Sequence, residues 1–243
     1  MALFKGLTFD GVNSLNYGIY LTGEAVYNAP ERAVEMVTIP GKNGALALDQ
    51  GRFENIEVTY KAGCFADNQT DFADKVAEFR NALASRYNYK RLSDEYNADE
   101  YRLGLYKSGL EVDAVSYHRA AEFEIAFDCK PQRFLTSGEA TQTITSGSNI
   151  TNPTLFESRP LIIANGSGNV SIGSQIISIS DITGDIYIDC DSMEIYTVAG
   201  GIISGASSHV TFNGNDFPTI PSGVTNITFT VNSLRIEPRW WRI

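Results

Sequence analysis

Short apolar runs, several of them alternating with polar residues, recur along the first half of the chain and predict β-strands. These runs cover residues 3–9, 19–21, 34–39, 53–62 and 121–127. Two further runs, residues 101–106 and 110–117, flank the turn residues Lys107, Ser108 and Gly109, and this pattern predicts a β-hairpin.

One segment of the first half has the helical period instead. Phe72, Val76, Phe79 and Leu83 fall on one face of a helix, which we predict over about residues 71–87. Thr70 is the predicted N-cap. Asp71 suits the positive end of the helix dipole and can pair with Lys75 one turn later. The apolar stripe must cover another apolar surface, and a β-sheet is the natural partner.

The second half is predicted to be almost purely β. Short candidate strands recur between turn residues rich in glycine, serine and asparagine, and no segment has the helical period. The candidate strands cover residues 161–164, 170–172, 176–180, 185–189, 194–198, 210–212, 226–231 and 234–238. Many short strands at this spacing indicate an antiparallel sandwich or barrel.

Composition changes near residue 135. No lysine occurs after Lys130, and the polar residues that follow, 136–141, resemble a linker. The chain is therefore divided into domains at 1–135 and 136–243. The predicted fold class is mostly β: an all-β chain with one amphipathic helix.

Charge and hydropathy exclude several functional classes. The net charge of −10 disfavours binding to nucleic acid, which requires a basic face. No run approaches the ~18 apolar residues that a membrane helix needs, so membrane insertion is not expected. The residues before Gly11 do not form a signal peptide, and Cys64, Cys129 and Cys190 are too far apart for a zinc or redox motif. These features indicate synthesis in a reducing cytoplasm.

Catalytic and metal-binding patterns are missing from the sequence. His118 and His209 each stand alone, whereas zinc sites need clustered ligands. There is no Gly-x-Ser-x-Gly elbow, no Walker motif and no dinucleotide fingerprint. Asp189 and Asp191 are interpreted as the end of a strand entering a tight turn. We therefore expect no enzyme activity, no cofactor and no metal.

Two segments are candidates for exposed contacts. Trp240 and Trp241 are adjacent, and neighbours in a strand face opposite sides, so at most one of them points inward. The pair is therefore a candidate aromatic contact for a sugar or a partner protein. Residues 94–102, rich in charge and tyrosine, are predicted to be an exposed loop or arm.

A series of motifs along the chain resembles one known family. The series begins with Gly18-Ile19 and continues with Ala29-Pro30-Glu31-Arg32 and Ile39-Pro40-Gly41-Lys42-Asn43-Gly44. It ends with Phe127-Asp128-Cys129-Lys130-Pro131, Arg159-Pro160-Leu161, Ile186-Tyr187-Ile188-Asp189-Cys190-Asp191 and Phe217-Pro218-Thr219-Ile220-Pro221. In this order, the motifs resemble the distal tail proteins of siphophages over nearly the whole chain.

The resemblance implies a structural protein of the phage virion. Distal tail proteins have an N-terminal β domain with a helix and a hairpin, and six copies of it form a ring. Their C-terminal domain is a galectin-like antiparallel β-sandwich that projects outward. The ring is expected to join the tail tube to the tail-tip hub, and its periphery can carry receptor-binding proteins. The expected location is the distal end of the tail of the virion.

Two other functions compete with this interpretation. A carbohydrate-binding or adhesion module for the host cell wall is suggested by the sandwich and the terminal tryptophans. The second domain lacks the His-Asn-Pro-Arg run of galectin sugar sites and has no room for an inserted carbohydrate module. A hydrolase would have to use Asp189 and Asp191 as its carboxylate pair.

Overall fold

The chain forms two compact units. A computed structural model describes residues 4–115, 119–214 and 216–243. The first unit runs to Arg133 and includes Ile243, and the second covers Phe134–Arg242. The sequence analysis placed this division two residues later. The predicted fold class is confirmed, since β-strands dominate both units and the described residues contain one α-helix.

The first unit is built on a curved antiparallel sheet. In chain order its strands are β1 (Leu7–Phe9), β2 (Val12–Asn13), β3 (Ile19–Leu21), β4 (Arg32–Thr38), β5 (Ala45–Phe53), β6 (Ile56–Phe65), β7 (Lys90–Asp94), β8 (Glu100–Leu105), β9 (Asp113–Val115) and β10 (Ala120–Cys129). The strands of the main sheet lie in the order β2-β1-β7-β8-β10-β6-β3, and β9 pairs with β10. A separate two-stranded sheet is formed by β4 and β5.

The longest pairing in the main sheet joins β6 and β10 over ten residues each, from Ala120 opposite Phe65 to Cys129 opposite Ile56. Alternate residues of β10 face the core, so that Phe123, Ile125 and Phe127 are buried. This is the face that the period-two pattern predicted. The rings of Phe9 and Tyr60 meet Phe127 at 5.0 and 6.3 Å and fill the centre of the sheet.

The helix α1 (Gln69–Ala84) covers the core face of this sheet. Phe72, Phe79 and Leu83 of the predicted stripe are buried, and Val76 is partly buried. The N-cap prediction was wrong, because the side chain of Asn68, not Thr70, accepts the hydrogen bond from the Asp71 amide at 3.0 Å. The helix consequently begins two residues earlier than expected, and it ends three residues earlier. A hydrogen bond of 2.8 Å joins Lys75 to Asp71, as predicted.

Two local predictions in this unit were wrong. The strands around Lys107 do not form a hairpin in the described part of the chain, because β8 and β9 each pair with β10. Residues 116–118 of the predicted hairpin lie outside the described residues. Residues 94–102 do not form an exposed arm either. They form the end of β7, the turn at residues 95–99 and the start of β8, where Glu100 and Arg102 are buried.

The second unit is an antiparallel sandwich of two sheets. In chain order the remaining strands of the chain are β11 (Arg133–Leu135), β12 (Gln142–Ile144), β13 (Ser148–Asn152), β14 (Leu161–Asn165), β15 (Gly168–Ile172), β16 (Gln175–Ile179), β17 (Asp185–Asp189), β18 (Glu194–Ala199), β19 (Ile202–Gly205), β20 (Val210–Phe212), β21 (Gly223–Phe229), β22 (Ser233–Glu237) and β23 (Trp241–Arg242). Neither β11, which begins in the first unit, nor β23 belongs to the two sheets of the sandwich. The strand orders of the two sheets are β12-β22-β14-β17-β18-β19 and β13-β21-β15-β16-β20.

The core of the sandwich consists mainly of isoleucine. The inward face of one sheet contributes Ile162, Ile186 and Ile188, and the other contributes Ile172 and Ile177, all fully buried. The eight predicted strands all exist. Sequence analysis missed β12, β13, β19 and the two short strands β11 and β23. These are short or poor in large apolar residues, so alternation is weak in them.

An ion pair joins the segment that follows β22 to the end of β17. Arg239 donates to both oxygens of Asp189, at 2.8 and 3.0 Å. Burial alone would raise the pKa of the Asp189 carboxyl. The hydrogen bonds and charge of Arg239, together with the amides of Asp191 and Ser192, outweigh burial and lower that pKa.

We predict that Phe79→Asp destabilises the first unit by about 4 kcal/mol, since it places an unpaired charge in a fully buried site. Thermal unfolding followed by circular dichroism measures the effect. Ala73→Asp, at an exposed position of the same helix, is the matched control and should leave the melting temperature nearly unchanged. Equal melting temperatures for Phe79→Asp and the control would contradict the assignment of the buried stripe.

We predict that Asp189→Asn lowers the stability of the second unit by about 2 kcal/mol at neutral pH. Because the folded-state pKa of Asp189 is lowered, its stabilisation is present above the unfolded-state value of about 3.9. It is lost as the pH falls through the lower, folded-state pKa. Urea unfolding at several pH values measures the free energy of unfolding. The difference between wild type and variant should disappear progressively below about pH 4.

Asp191→Asn changes an exposed carboxylate two residues away and is the control for this experiment. The difference in the free energy of unfolding between wild type and Asp189→Asn could be equal at neutral and acidic pH, or Asp191→Asn could lower it by the same amount. Either result would show that the ion pair does not stabilise the unit.

Candidate interaction surface

The two-stranded sheet β4–β5 stands apart from the main sheet of the first unit, and we call it the arm (residues 32–53). Its strands pair antiparallel from Arg32 opposite Phe53 to Thr38 opposite Ala45, with an irregularity between Arg32 and Val34. The connecting turn, residues 39–44, contains Gly41 and Gly44, both with positive φ. Glycine adopts this backbone conformation without the steric penalty of a side chain. The turn is also one of the motifs of the family resemblance, Ile39-Pro40-Gly41-Lys42-Asn43-Gly44.

Both faces of the arm carry exposed apolar side chains. Side chains directly opposite each other in an antiparallel pair share a face. Met36 and Ala47 therefore lie on one face with Val34, and Leu48 lies on the other with Leu46. Met36 is 62% exposed, and Leu46 and Leu48 are 43% and 44% exposed. Each face also carries one carboxylate, Asp49 on the first and Glu35 on the second.

The arm does not bury its own apolar surface. An isolated two-stranded sheet is marginally stable in water, and a sheet normally buries at least one face. Polar contacts at the base of the arm partly offset this: Arg32 pairs with Asp49 and lies over the ring of Phe53. Both of those contacts are exposed and contribute little. The exposed apolar residues on both faces make the arm a candidate interaction surface.

The segment that leads into the arm is held by three side chains of the main sheet and its turns. Tyr96 donates its hydroxyl to Gly23 O. Arg133 donates to Val26 O at 2.7 Å, and Arg102 donates to Asn28 O in a longer and weaker contact of 3.4 Å. The base of the arm is thus fixed to the first unit, while the arm itself is exposed.

The two candidate tryptophans occupy different environments. Trp240 is 3% exposed and belongs to the core of the sandwich, so it is not the exposed contact that the sequence suggested. Trp241 is partly exposed. Its ring stacks on Phe156 at 4.5 Å, and its indole nitrogen donates to Glu157 O at 2.9 Å. These contacts fix the orientation of Trp241 and leave part of its ring accessible.

The other residues considered from the sequence have structural partners. Asp189 is paired with Arg239 and caps the turn through the amides of Asp191 and Ser192. His209 contacts Ser180 O through Nδ1 at 3.1 Å. His118 lies outside the described residues. Within the described ranges, no group of three or more histidine, cysteine, aspartate or glutamate side chains is placed to hold a metal ion.

Cys64, Cys129 and Cys190 are free and buried. Burial raises the pKa of the Cys129 and Cys190 thiols to about 12, which keeps these two protonated and poorly nucleophilic near neutral pH. No helix in the described residues is long and apolar enough to span a membrane.

Sequence analysis missed the arm as an interaction surface. Residues 34–39 were predicted to be a strand, but its partner, Ala45–Phe53, was not. The signal was present in the apolar residues that follow the Gly-Lys-Asn-Gly turn. Alternating alanine and leucine do not distinguish strand from helix without the turn before them.

Comparison with known proteins agrees with this architecture. Residues 16–129 match the family model of the phage tail protein RIFT-related domain. The Dit protein of phage SPP1, described as a paradigm of the hub adsorption apparatus of phages that infect Gram-positive bacteria, has a similar structure. That similarity has a TM-score of 0.73 at 16% identity and covers 96% of this chain and 97% of the other.

Two structures of the phage p2 baseplate in its activated conformation also contain similar chains. With calcium, the TM-score is 0.55 at 10% identity, over 97% of both chains. With strontium, the TM-score is 0.54 at 10% identity, over 99% of this chain and 98% of the other. No curated protein matches the sequence at a significant level.

These similarities support a structural role in a phage tail or baseplate. The chain resembles the siphophage distal tail proteins in fold over nearly its whole length, and residues 16–129 match the phage tail RIFT-related domain in sequence.

Proposed function

We propose that the chain is a structural virion protein at the distal end of a siphophage tail. Six copies form a ring that joins the tail tube to the tail-tip hub, and the periphery of the ring carries receptor-binding proteins. The family match over residues 16–129 and the whole-chain similarity to the SPP1 Dit protein support this role. The protein acts by assembly rather than by catalysis, and it is made in the cytoplasm of the host before it enters the virion.

The exposed arm carries the proposal that copies of this chain associate. A head-to-tail interface repeats the same contact around a ring, so each subunit offers one surface and receives another. An arm that presents apolar side chains on both faces fits this geometry, because a neighbouring subunit can cover what the arm leaves exposed. Burying apolar surface in this way contributes about 25 cal/mol per Å².

The strand edges of the first unit offer less for assembly than the arm. The outer strands β2 and β3 have only two and three residues. Such short edges give few unpaired amides for a neighbouring sheet to join. The arm has strands of seven and nine residues and is the larger exposed element.

The two units have different proposed roles. We assign ring formation to residues 1–135, which contain the arm and the whole of the family match. Residues 136–243 form the galectin-like sandwich that faces outward and offers a surface to receptor-binding proteins. Trp240 cannot take part in sugar binding as an exposed ring, because it is buried in the core of the sandwich.

We predict that the purified protein forms six-fold rings and that Met36→Glu/Leu48→Glu abolishes them. The double variant places one new charge on each face of the arm, where both side chains are exposed in the subunit. The fold should therefore survive while association is lost. Light scattering over a concentration series measures the mass, and negative-stain images show the symmetry.

Ile202→Glu is the matched control, since Ile202 is an exposed apolar residue of a short strand in the second unit. The control should form rings as the wild type does. Rings from the double variant would contradict the role of the arm, and a wild type that stays monomeric at every concentration would contradict self-assembly of the isolated protein.

A further inference from the structure

Two buried arginines face one small pocket in the first unit, near the base of the arm. Arg102 lies on β8, and Arg133 is the first residue of β11. They are 7% and 8% exposed. The pocket, which we call the arginine pocket, is also lined by Val26, Tyr60, Asp94 and Glu100, among others. All of these residues belong to the first unit.

Each guanidinium group has a buried nitrogen without a hydrogen-bond partner. Arg102 uses Nη2 to donate to Asn28 O, and Arg133 uses Nη2 to donate to Val26 O. Arg102 Nη1 and Arg133 Nε are buried and have no acceptor in the described structure. A buried donor without an acceptor lowers the stability of the fold, and a charged donor lowers it further.

The carboxylates around the pocket do not supply these acceptors. Asp94 already accepts hydrogen bonds from the hydroxyl of Tyr60 at 3.0 Å and from the amides of Tyr96 and Asn97 at 2.9 and 3.0 Å. Glu100 accepts from Nη1 of Arg133, not from Nε, at a long 3.4 Å. That separation makes the contact weak.

Arg102 lacks an ion-pair partner within the described part of the chain. Burial, and then the neighbouring charge of Arg133, lower the pKa of Arg102. An arginine nevertheless stays protonated in a protein. The two guanidinium groups therefore share a site with Asp94 and Glu100, and two of their buried donors still lack an acceptor. An anion that accepts from both donors would offset the cost of leaving them unpaired.

The size of the pocket limits what the counter-ion can be. The space beside the arginines is about 20 Å³, enough for one water molecule or one monatomic ion, and the pocket opens to solvent. We propose that the arginine pocket binds a single halide ion, chloride in solution, between Arg102 Nη1 and Arg133 Nε. The ion accepts both hydrogen bonds.

The same two arginines hold the segment that leads into the arm. Each donates to a backbone carbonyl of that segment, Val26 O or Asn28 O. A bound halide fixes both guanidinium groups in the orientation that these hydrogen bonds need. Occupancy of the pocket therefore stabilises the attachment of the arm, whatever the arm contacts.

Thermal unfolding of the full chain in sodium bromide and in sodium gluconate, at equal ionic strength, tests this proposal. Gluconate is too large for the pocket. The melting temperature of the first unit should rise by about 5 °C when bromide reaches roughly ten times its dissociation constant. Arg102→Gln should lose this response, and Arg80→Gln, an exposed arginine of α1, should retain it.

Anomalous diffraction from wild-type crystals grown in bromide gives a second readout that does not depend on a variant that folds. A bromide peak within hydrogen-bond distance of Arg102 Nη1 and Arg133 Nε is the expected result. A water molecule at that position without anomalous signal would overturn the proposal. The same salt response in wild type and Arg102→Gln would also overturn it.

Discussion

A β-sheet must bury one face, and this requirement organises both units of the protein. In the first unit, α1 covers the main sheet through Phe72, Phe79 and Leu83. In the second unit, two sheets cover each other with isoleucine side chains. The arm, by contrast, leaves apolar residues exposed on both of its faces. Because the arm does not bury either face by itself, we propose that another copy of the chain covers it. The similarity to phage tail proteins agrees with this proposal.

How much the sequence predicted depends on how local each signal is. Alternation in residues 121–127 gave both the strand and its buried face, because period two needs no knowledge of the partner strand. The stripe of α1 was equally clear. The first residue of the helix was harder to predict, since Asn68 and Thr70 are both good N-caps. The choice between them depends on where the preceding strand ends. The hairpin predicted after Tyr106 was wrong, because strand pairing is decided by residues that are distant in the sequence.

The terminal tryptophans illustrate the same difference between local signals and those that depend on distant residues. Sequence gave the rule that neighbours face opposite sides, but not which ring is inside. The structure decides this through Gly138: a Cβ atom there would lie 2.4 Å from the backbone nitrogen of Trp240. Only glycine lets the two backbones approach so closely, and Trp240 then points into the core. The arginine pocket was not predictable at all, because Arg102 and Arg133 are 31 positions apart in a chain in which most arginines are exposed.

The carboxylates on the arm bear on the timing of the proposed assembly. Glu35 places a negative charge on one apolar face of the arm, whereas Asp49 on the other face is paired with Arg32. The net charge of the whole chain is −10. Charges on an exposed strand discourage indiscriminate pairing between identical copies. Repulsion between acidic subunits lowers the rate at which they meet, and it weakens as salt shortens the screening length to ~8 Å under physiological conditions. Under the proposed assembly, association of copies through the arm is therefore faster at higher salt.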